Sequence, residues 1–340
     1  MRHPPLAPGH IDAPHRDAAL GDLGLESGEK IREFRQSYVI HGTLDADRAN
    51  AILVCVLLAG THHRLDFLIG PGKALDTSRY FIVAADPIGN GLTTSPSTST
   101  LQPRSRFPRF GLRDMVHAQF RLLTEVLGVD QLHAVVGASM GGMQALQWGV
   151  SHPRFARKLV AMTPMARTAP WAAMVVRTAR ACLMADPAWN GREFTAVPER
   201  GWGAYACLMT GMMTSTPAAL AGVEVDAWSQ RAIAAQSTSG LDAHDYLYQS
   251  WAYEAHDVGA TPGLGGDTGR ALASIRAATL VLAPPLDLFN PESSAREAAA
   301  AIPGARFIEI ASIQGHQAAA STDSRDASFL NGVVGEFLAV

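Results

Sequence analysis

Residues 131–153 read QLHAVVGASMGGMQALQWGVSHP. Leu132 to Val136 form a short apolar run of strand character, and from Met140 onward the pattern is helical until Pro153 ends it. Between the two lies Gly137-Ala138-Ser139-Met140-Gly141, a G-x-S-x-G pattern. Small residues suit that position because a strand that turns abruptly into a helix brings backbones close together and lifts the serine hydroxyl above the sheet. Ser139 is therefore a candidate nucleophile, provided that a base and an oxyanion site surround it. The competing reading is a serine that caps a tight helix N-terminus.

The flanking sequence repeats the alternation. FRQSYVIHGTL (34–44) has strand-like alternation, and AILVCVLLAG (51–60) is apolar throughout, as a strand covered on both faces requires. RYFIVAADPIGNG (79–91) is a further strand running into a loop, and LRDMVHAQFRLLTEVLG (112–128) has helical spacing. RKLVAMTP (157–164) supplies the next strand. Strand–helix–strand order of this kind predicts a doubly wound, mostly parallel sheet with helices on both faces. Residues 92–108, rich in proline and serine, read as an irregular surface segment.

From 168 to 272 strand signals stop and helical or loop signals take over. They return at ATLVLAPPLD (278–287) and RFIEIAS (306–312), with a helix expected around 292–302. The expected organisation is a flexible leader over 1–29, a sheet domain over 30–167 and 273–340, and a helical cap inserted over 168–272.

Composition bounds the function. The 340 residues are 47% hydrophobic with a net charge of −3, which gives no electrostatic case for nucleic acid or an acidic membrane surface. Three scattered cysteines fit neither a disulfide framework nor a compact zinc site, and an odd count fits a reducing cytoplasm. The first residues have proline and histidine where a secretory signal has an apolar core, and no segment reaches the length of a membrane span. His3, His10 and His15 read as part of the leader rather than as metal ligands. His62, His63 and Asp86 lack local ligand spacing, so no metal is expected.

In folds of this kind the acid and then the histidine follow the serine. Asp287 closes the returning strand in PPLDLFNP, and His316 follows the next strand in IQGHQAA. A crossover helix and a strand fit between them, which would bring both beside Ser139. His244 and His256 compete as bases without a comparably placed acid. For the oxyanion site, the Met140 amide opens the helix, and the second donor should follow an earlier strand, with Leu58 the first choice and Ala59 its competitor.

With these residues in place the chain resembles the homoserine acetyltransferase group of the α/β-hydrolase superfamily over most of 35–335. The resemblance rests on GPGKALDTSRYFIV (70–83), LRDMVHAQFRLL (112–123), VVGASMGGMQALQW (135–148), ADPAWNG (185–191) and the late DLF and GH elements. It implies an α/β-hydrolase fold with a helical cap, the triad Ser139, Asp287 and His316, oxyanion donors Leu58 and Met140, and a homodimer formed through the cap. It also implies a substrate-binding role for Arg167, in PMARTAP.

Two departures bear on substrate. Members that acetylate homoserine carry LTGD after the first core strand and GHD at the histidine, where this chain has LAGT (58–61) and GHQ (315–317). In the family the acid after the histidine helps hold the substrate ammonium; Gln317 offers an uncharged amide there. A site lacking the charged complement discriminates less for an amino-bearing acceptor, while acyl-enzyme chemistry is untouched. The expected activity is a cofactor-independent hydrolase of small acyl esters, acetyl esters first; the alternative is an acetyl-CoA-dependent O-acetyltransferase acting on homoserine or another small alcohol.

Overall fold

The computed structural model describes residues 6–320 and 323–340, so His3 lies outside the described residues. Eight strands form one sheet: β1 (His15–Gly24), β2 (Lys30–His41), β3 (Ala51–Cys55), β4 (Phe81–Ala85), β5 (Leu132–Ala138), β6 (Ala156–Met162), β7 (Ala278–Ala283) and β8 (Arg306–Glu309), in the spatial order β1-β2-β4-β3-β5-β6-β7-β8. β1 and β2 pair antiparallel, as do β2 and β4; every later pairing is parallel. Helices α1 (Leu112–Arg121) and α2 (Met140–Ser151) precede β5 and β6, α3 (Pro170–Met184), α4 (Glu199–Ala206), α5 (Val225–Thr238), α6 (Ala243–Glu254) and α7 (Thr268–Ala273) lie between β6 and β7, and α8 (Glu292–Ala301) and α9 (Ser324–Ala339) complete the chain.

The apolar run of β3 is explained by its position. All five of its residues are buried, with Leu53 and Cys55 in the core on one face of the sheet and Ile52 and Val54 in the core on the other. A central parallel strand covered by helices on both sides has no solvent face, so its sequence does not alternate.

Two expectations are corrected. The segment read as a leader over 1–29 contains β1, a ten-residue strand hydrogen-bonded along β2. Its alternation was masked by glycine and aspartate, yet Ala18, Leu20 and Leu23 turn inward to the core. The segment 92–108 is not simply a surface loop: Leu92, Thr93, Thr94, Ser95 and Ser99 are buried. Its polar residues find partners inside; the Thr93 hydroxyl donates to the Asp86 carbonyl at 2.8 Å, and the Ser95 hydroxyl donates to the Thr93 carbonyl.

The helices between β6 and β7 pack into the same core as the sheet. Val175, Val176, Tyr246, Leu247 and Tyr253 share one hydrophobic cluster with Met140 and Trp148. α6 is the innermost, with ten of its twelve residues buried. Its Asp245 accepts hydrogen bonds from the Ser97 amide at 2.9 Å and the Ser97 hydroxyl at 2.5 Å.

Burial, and secondarily the charge of Asp242, pushes the Asp245 carboxyl up to about 8, against the pull of the Ser97 hydrogen bonds. The native state therefore keeps a proton on Asp245 that the unfolded chain releases near pH 4, and this group's contribution to stability declines as pH rises from about 4 to about 8. Asp245→Asn, which keeps an acceptor and a donor for Ser97, removes that dependence. Thermal melts between pH 5 and 7.5 should show the wild type losing more stability than the variant, by up to about 1.4 kcal/mol per pH unit.

Candidate active site

The parallel strands β3, β5, β6, β7 and β8 are neighbours, so their carboxyl ends share one edge of the sheet. Leu58 follows β3, Ser139 follows β5, Thr163 follows β6, Asp287 follows β7 and His316 follows β8. The chain order reverses between β3 and β5, which is where open α/β sheets leave a crevice.

Ser139 sits at φ 56° and ψ −123°, a conformation costly for any residue with a side chain, by about 1–3 kcal/mol. The surrounding glycines explain how the turn is made. A Cβ on Gly137 would stand 2.1 Å from the Gly141 carbonyl oxygen, one on Gly141 would stand 2.2 Å from that of Cys55, and one on Gly142 would stand 2.6 Å from that of Met162. Backbone contact on three sides wedges the start of α2 against β3 and β6. The Ser139 amide is held as well, donating to the Met162 carbonyl at 2.9 Å and to Thr163 Oγ1 at 3.1 Å.

His316 lies within reach of both partners. Its Nε2 is 2.8 Å from Ser139 Oγ and its Nδ1 is 2.7 Å from Asp287 Oδ2. Because an ionised carboxylate only accepts, Nδ1–H donates to Asp287, which leaves Nε2 to accept the Ser139 hydroxyl proton. Asp287 is fixed in turn: its Oδ1 accepts from the amides of Phe289 and Asn290, both at 2.8 Å. All three side chains are largely buried.

Leu58 and Met140 carry backbone amides with no hydrogen-bond acceptor among the described residues. Ala59, the competing donor, is committed: its amide donates to Gln249 Oε1 at 2.9 Å. Of the three candidate donors, Leu58 and Met140 keep uncommitted amides among the described residues.

Arg167 is exposed and lines a surface cleft with Thr268, Ser294 and Glu297, which none of the three triad-like residues lines. Gln317 turns toward the segment inserted between β6 and β7: its Nε2 donates to Thr214 Oγ1 at 3.1 Å and its amide to the Thr214 carbonyl. A cleft of about 600 Å³ between α4, α5 and the start of α6 also excludes Ser139, Asp287 and His316. Neither rival base, His244 or His256, hydrogen-bonds to Ser139 among the described residues. His244 Nε2 accepts from the Phe194 amide, and the buried His256 is pushed down to about 4 by desolvation.

His15, His62 and Asp86 bring one potential ligand atom each within 4.8 Å, a convergence that sequence spacing did not reveal. The carboxylate there is already occupied by donors. Asp86 accepts from the Ser37 hydroxyl, from the His62 amide and ring, and from Asn90 Nδ2. Burial alone would raise the Asp86 carboxyl; bonds from His15, His62 and Ser37 hold it well below the usual carboxylate range instead. The group is a hydrogen-bonded anchor that ties β1 and β2 to the loops after β3 and β4.

Sequence reasoning passed over Thr163, Asn290, Tyr253 and Gln249. Asn290 Nδ2 donates to the Thr163 carbonyl at 2.7 Å, and the Tyr253 hydroxyl donates to Asn290 Oδ1, so a buried chain runs from α6 to the residue that holds the Ser139 amide. Only Asn290 carried a local signal, standing three residues after the acid and just before a proline.

The chain matches the family model described as alpha/beta hydrolase fold over residues 56–312. It is 32% identical over 321 residues to a Corynebacterium glutamicum protein named a "probable esterase", covering 90% of each chain. It is 31% identical over 361 residues to a homoserine O-acetyltransferase of Methanocorpusculum labreanum, covering 93% of this chain and 71% of that one. A solved acetyl esterase structure superposes with a TM-score of 0.90 at 29% identity, covering 96% of this chain and 97% of the other. None of the described helices is long and apolar enough to cross a membrane.

The glycine wedge yields a direct test. Gly141→Ala forces a methyl group against the immobile backbone of β3, so it should lower stability by about 1–3 kcal/mol and displace the start of α2. Gly332→Ala, at a helical position where a Cβ would meet nothing within 4 Å, should be neutral or stabilising by up to about 1 kcal/mol. Chemical denaturation of both variants beside the wild type checks the contrast.

Proposed function

The chain belongs to the alpha/beta hydrolase fold family, in the group that includes homoserine O-acetyltransferases and related esterases, and we propose that it hydrolyses small acyl esters, acetyl esters first, through an acyl-enzyme on Ser139. The observation that carries this reading is the continuous relay from Ser139 Oγ through His316 to Asp287, with spacings of 2.8 and 2.7 Å.

In the proposed cycle His316 Nε2 takes the Ser139 proton as Oγ attacks the ester carbonyl. Asp287 keeps the imidazole in the required tautomer and stabilises the imidazolium. The amides of Leu58 and Met140 hold the tetrahedral oxyanion, each worth about 3 kcal/mol in the transition state. His316 then protonates the leaving alcohol, and water, activated by the same imidazole, releases the acid. The cycle uses no cofactor.

Hydrolysis is favoured over transfer by Gln317. Its amide is engaged by Thr214, and it brings no negative charge for an amino-bearing acceptor beside His316. The 31% identical homoserine O-acetyltransferase supports the alternative, acetyl transfer from acetyl-CoA to homoserine or another small alcohol. A homodimer formed through the cap belongs to either reading.

Two measurements test these readings. Ser139→Ala should lower kcat on a small acetyl ester at least about a thousandfold with the fold retained, and a serine-directed phosphonate should label the wild type at Ser139 and not the variant. Supplying acetyl-CoA with candidate alcohols while quantifying acetate and acylated product separately decides the acceptor. Product forming faster than acetate makes the protein a transferase.

A further inference from the structure

Gln249 is a fully buried amide on α6, a helix of the inserted segment, yet both of its hydrogen bonds go to loops at the carboxyl edge of the sheet. Its Oε1 accepts from the Ala59 amide at 2.9 Å, on the loop after β3. Its Nε2 donates to the Ile88 carbonyl at 3.0 Å, on the loop after β4. We propose that Gln249 is a positioning residue for the oxyanion site, bracing the loop that presents the Leu58 amide to Ser139; the proposal rests on the hydrolase reading above.

Three features give the brace its force. Ala59 has φ 59°, a left-handed conformation that disfavours any residue with a Cβ, so the peptide after Leu58 needs an outside partner to hold it. Gln249 is that partner, and by taking the Ala59 N–H it leaves the Leu58 N–H as the free donor of the loop. Close approach is also built in on the other side: a Cβ on Gly89 would stand 2.8 Å from Phe110 Cζ and 3.2 Å from Gln249 Cγ, so the absence of a side chain there admits the glutamine. Finally, both ends of the amide are used, which fixes its orientation, since a flipped side chain would set Oε1 against the Ile88 carbonyl and the amide nitrogen against the Ala59 N–H.

An oxyanion donor works only when it is held where the charge develops, because the benefit comes from not having to reorganise. A loosened Leu58 amide would therefore slow the chemical step without weakening substrate binding in proportion.

The test uses the full chain with Gln249→Leu and Gln249→Glu, read in two ways. Hydrogen–deuterium exchange of the peptide spanning 56–60 should rise at least about tenfold in Gln249→Leu, with kcat on an acetyl ester falling about ten- to a hundredfold and KM changing less than about threefold. In Gln249→Glu one oxygen still accepts from Ala59, but the other can satisfy the Ile88 carbonyl only when protonated. Its kcat should therefore fall as pH rises through an additional ionisation that the wild type lacks. That variant carries the test if the leucine form does not fold. Unchanged exchange with unchanged kcat overturns the brace, and raised exchange with wild-type kcat overturns its link to the oxyanion site. If the wild type itself neither turns over esters nor labels at Ser139, the hydrolase reading fails and the proposed role in catalysis fails with it, while raised exchange in the variant would still establish the contact.

Discussion

The backbone of Ser139 is held at a φ near 56° by the glycine contacts around it and by its own amide, which donates to Met162 and Thr163. Gly137, Gly141 and Gly142 let α2 press against the carbonyls of β3 and β6 at distances no side chain would tolerate, and the turn between β5 and α2 has no room to relax. The rest of the site depends on that wedge. It lifts Oγ toward His316 and sets the Ser139 amide on Thr163. Strain of this kind persists only where neighbouring structure over-determines it, and the neighbours here are two central strands buried on both faces.

The inserted segment takes part in that over-determination. Gln249 and Tyr253 stand four residues apart on α6, and so on one face of it. The first reaches the loops after β3 and β4, and the second reaches Asn290 beside the acid. One helix therefore touches both the loop that carries Leu58 and Ala59 and the loop that carries Asp287 and Asn290. Its hydrophobic residues merge with the core of the sheet, so the chain position of the segment, an insertion between β6 and β7, understates how closely it belongs to the site.

Much of the site was readable because it obeys local rules. G-x-S-x-G between a strand and a helix can make few other turns, and Asp287 and His316 each follow an apolar run that ends at the sheet edge. What escaped reading was polar and non-local. Thr163 and Gln249 bond to residues 24 and 190 positions away, and no periodicity marks such a pairing. β1 escaped for a related reason: its register is set by β2 and by the His15–Asp86 contact across the sheet edge, while its own composition resembles a loop.

The sequence by itself determined the alternation of strands and helices, the long interruption after β6, and the three side chains brought together at the carboxyl edge, because each follows from hydrophobic pattern or turn chemistry within a few residues. Only the tertiary structure committed the Ala59 amide to Gln249, turned Gln317 toward Thr214, placed Arg167 in an exposed cleft and laid α6 against the loops after β3, β4 and β7. Those outcomes depend on which buried donor meets which buried acceptor. Inside a protein nearly every such group must find a partner, and the partner is chosen by the packing of elements far apart in the chain.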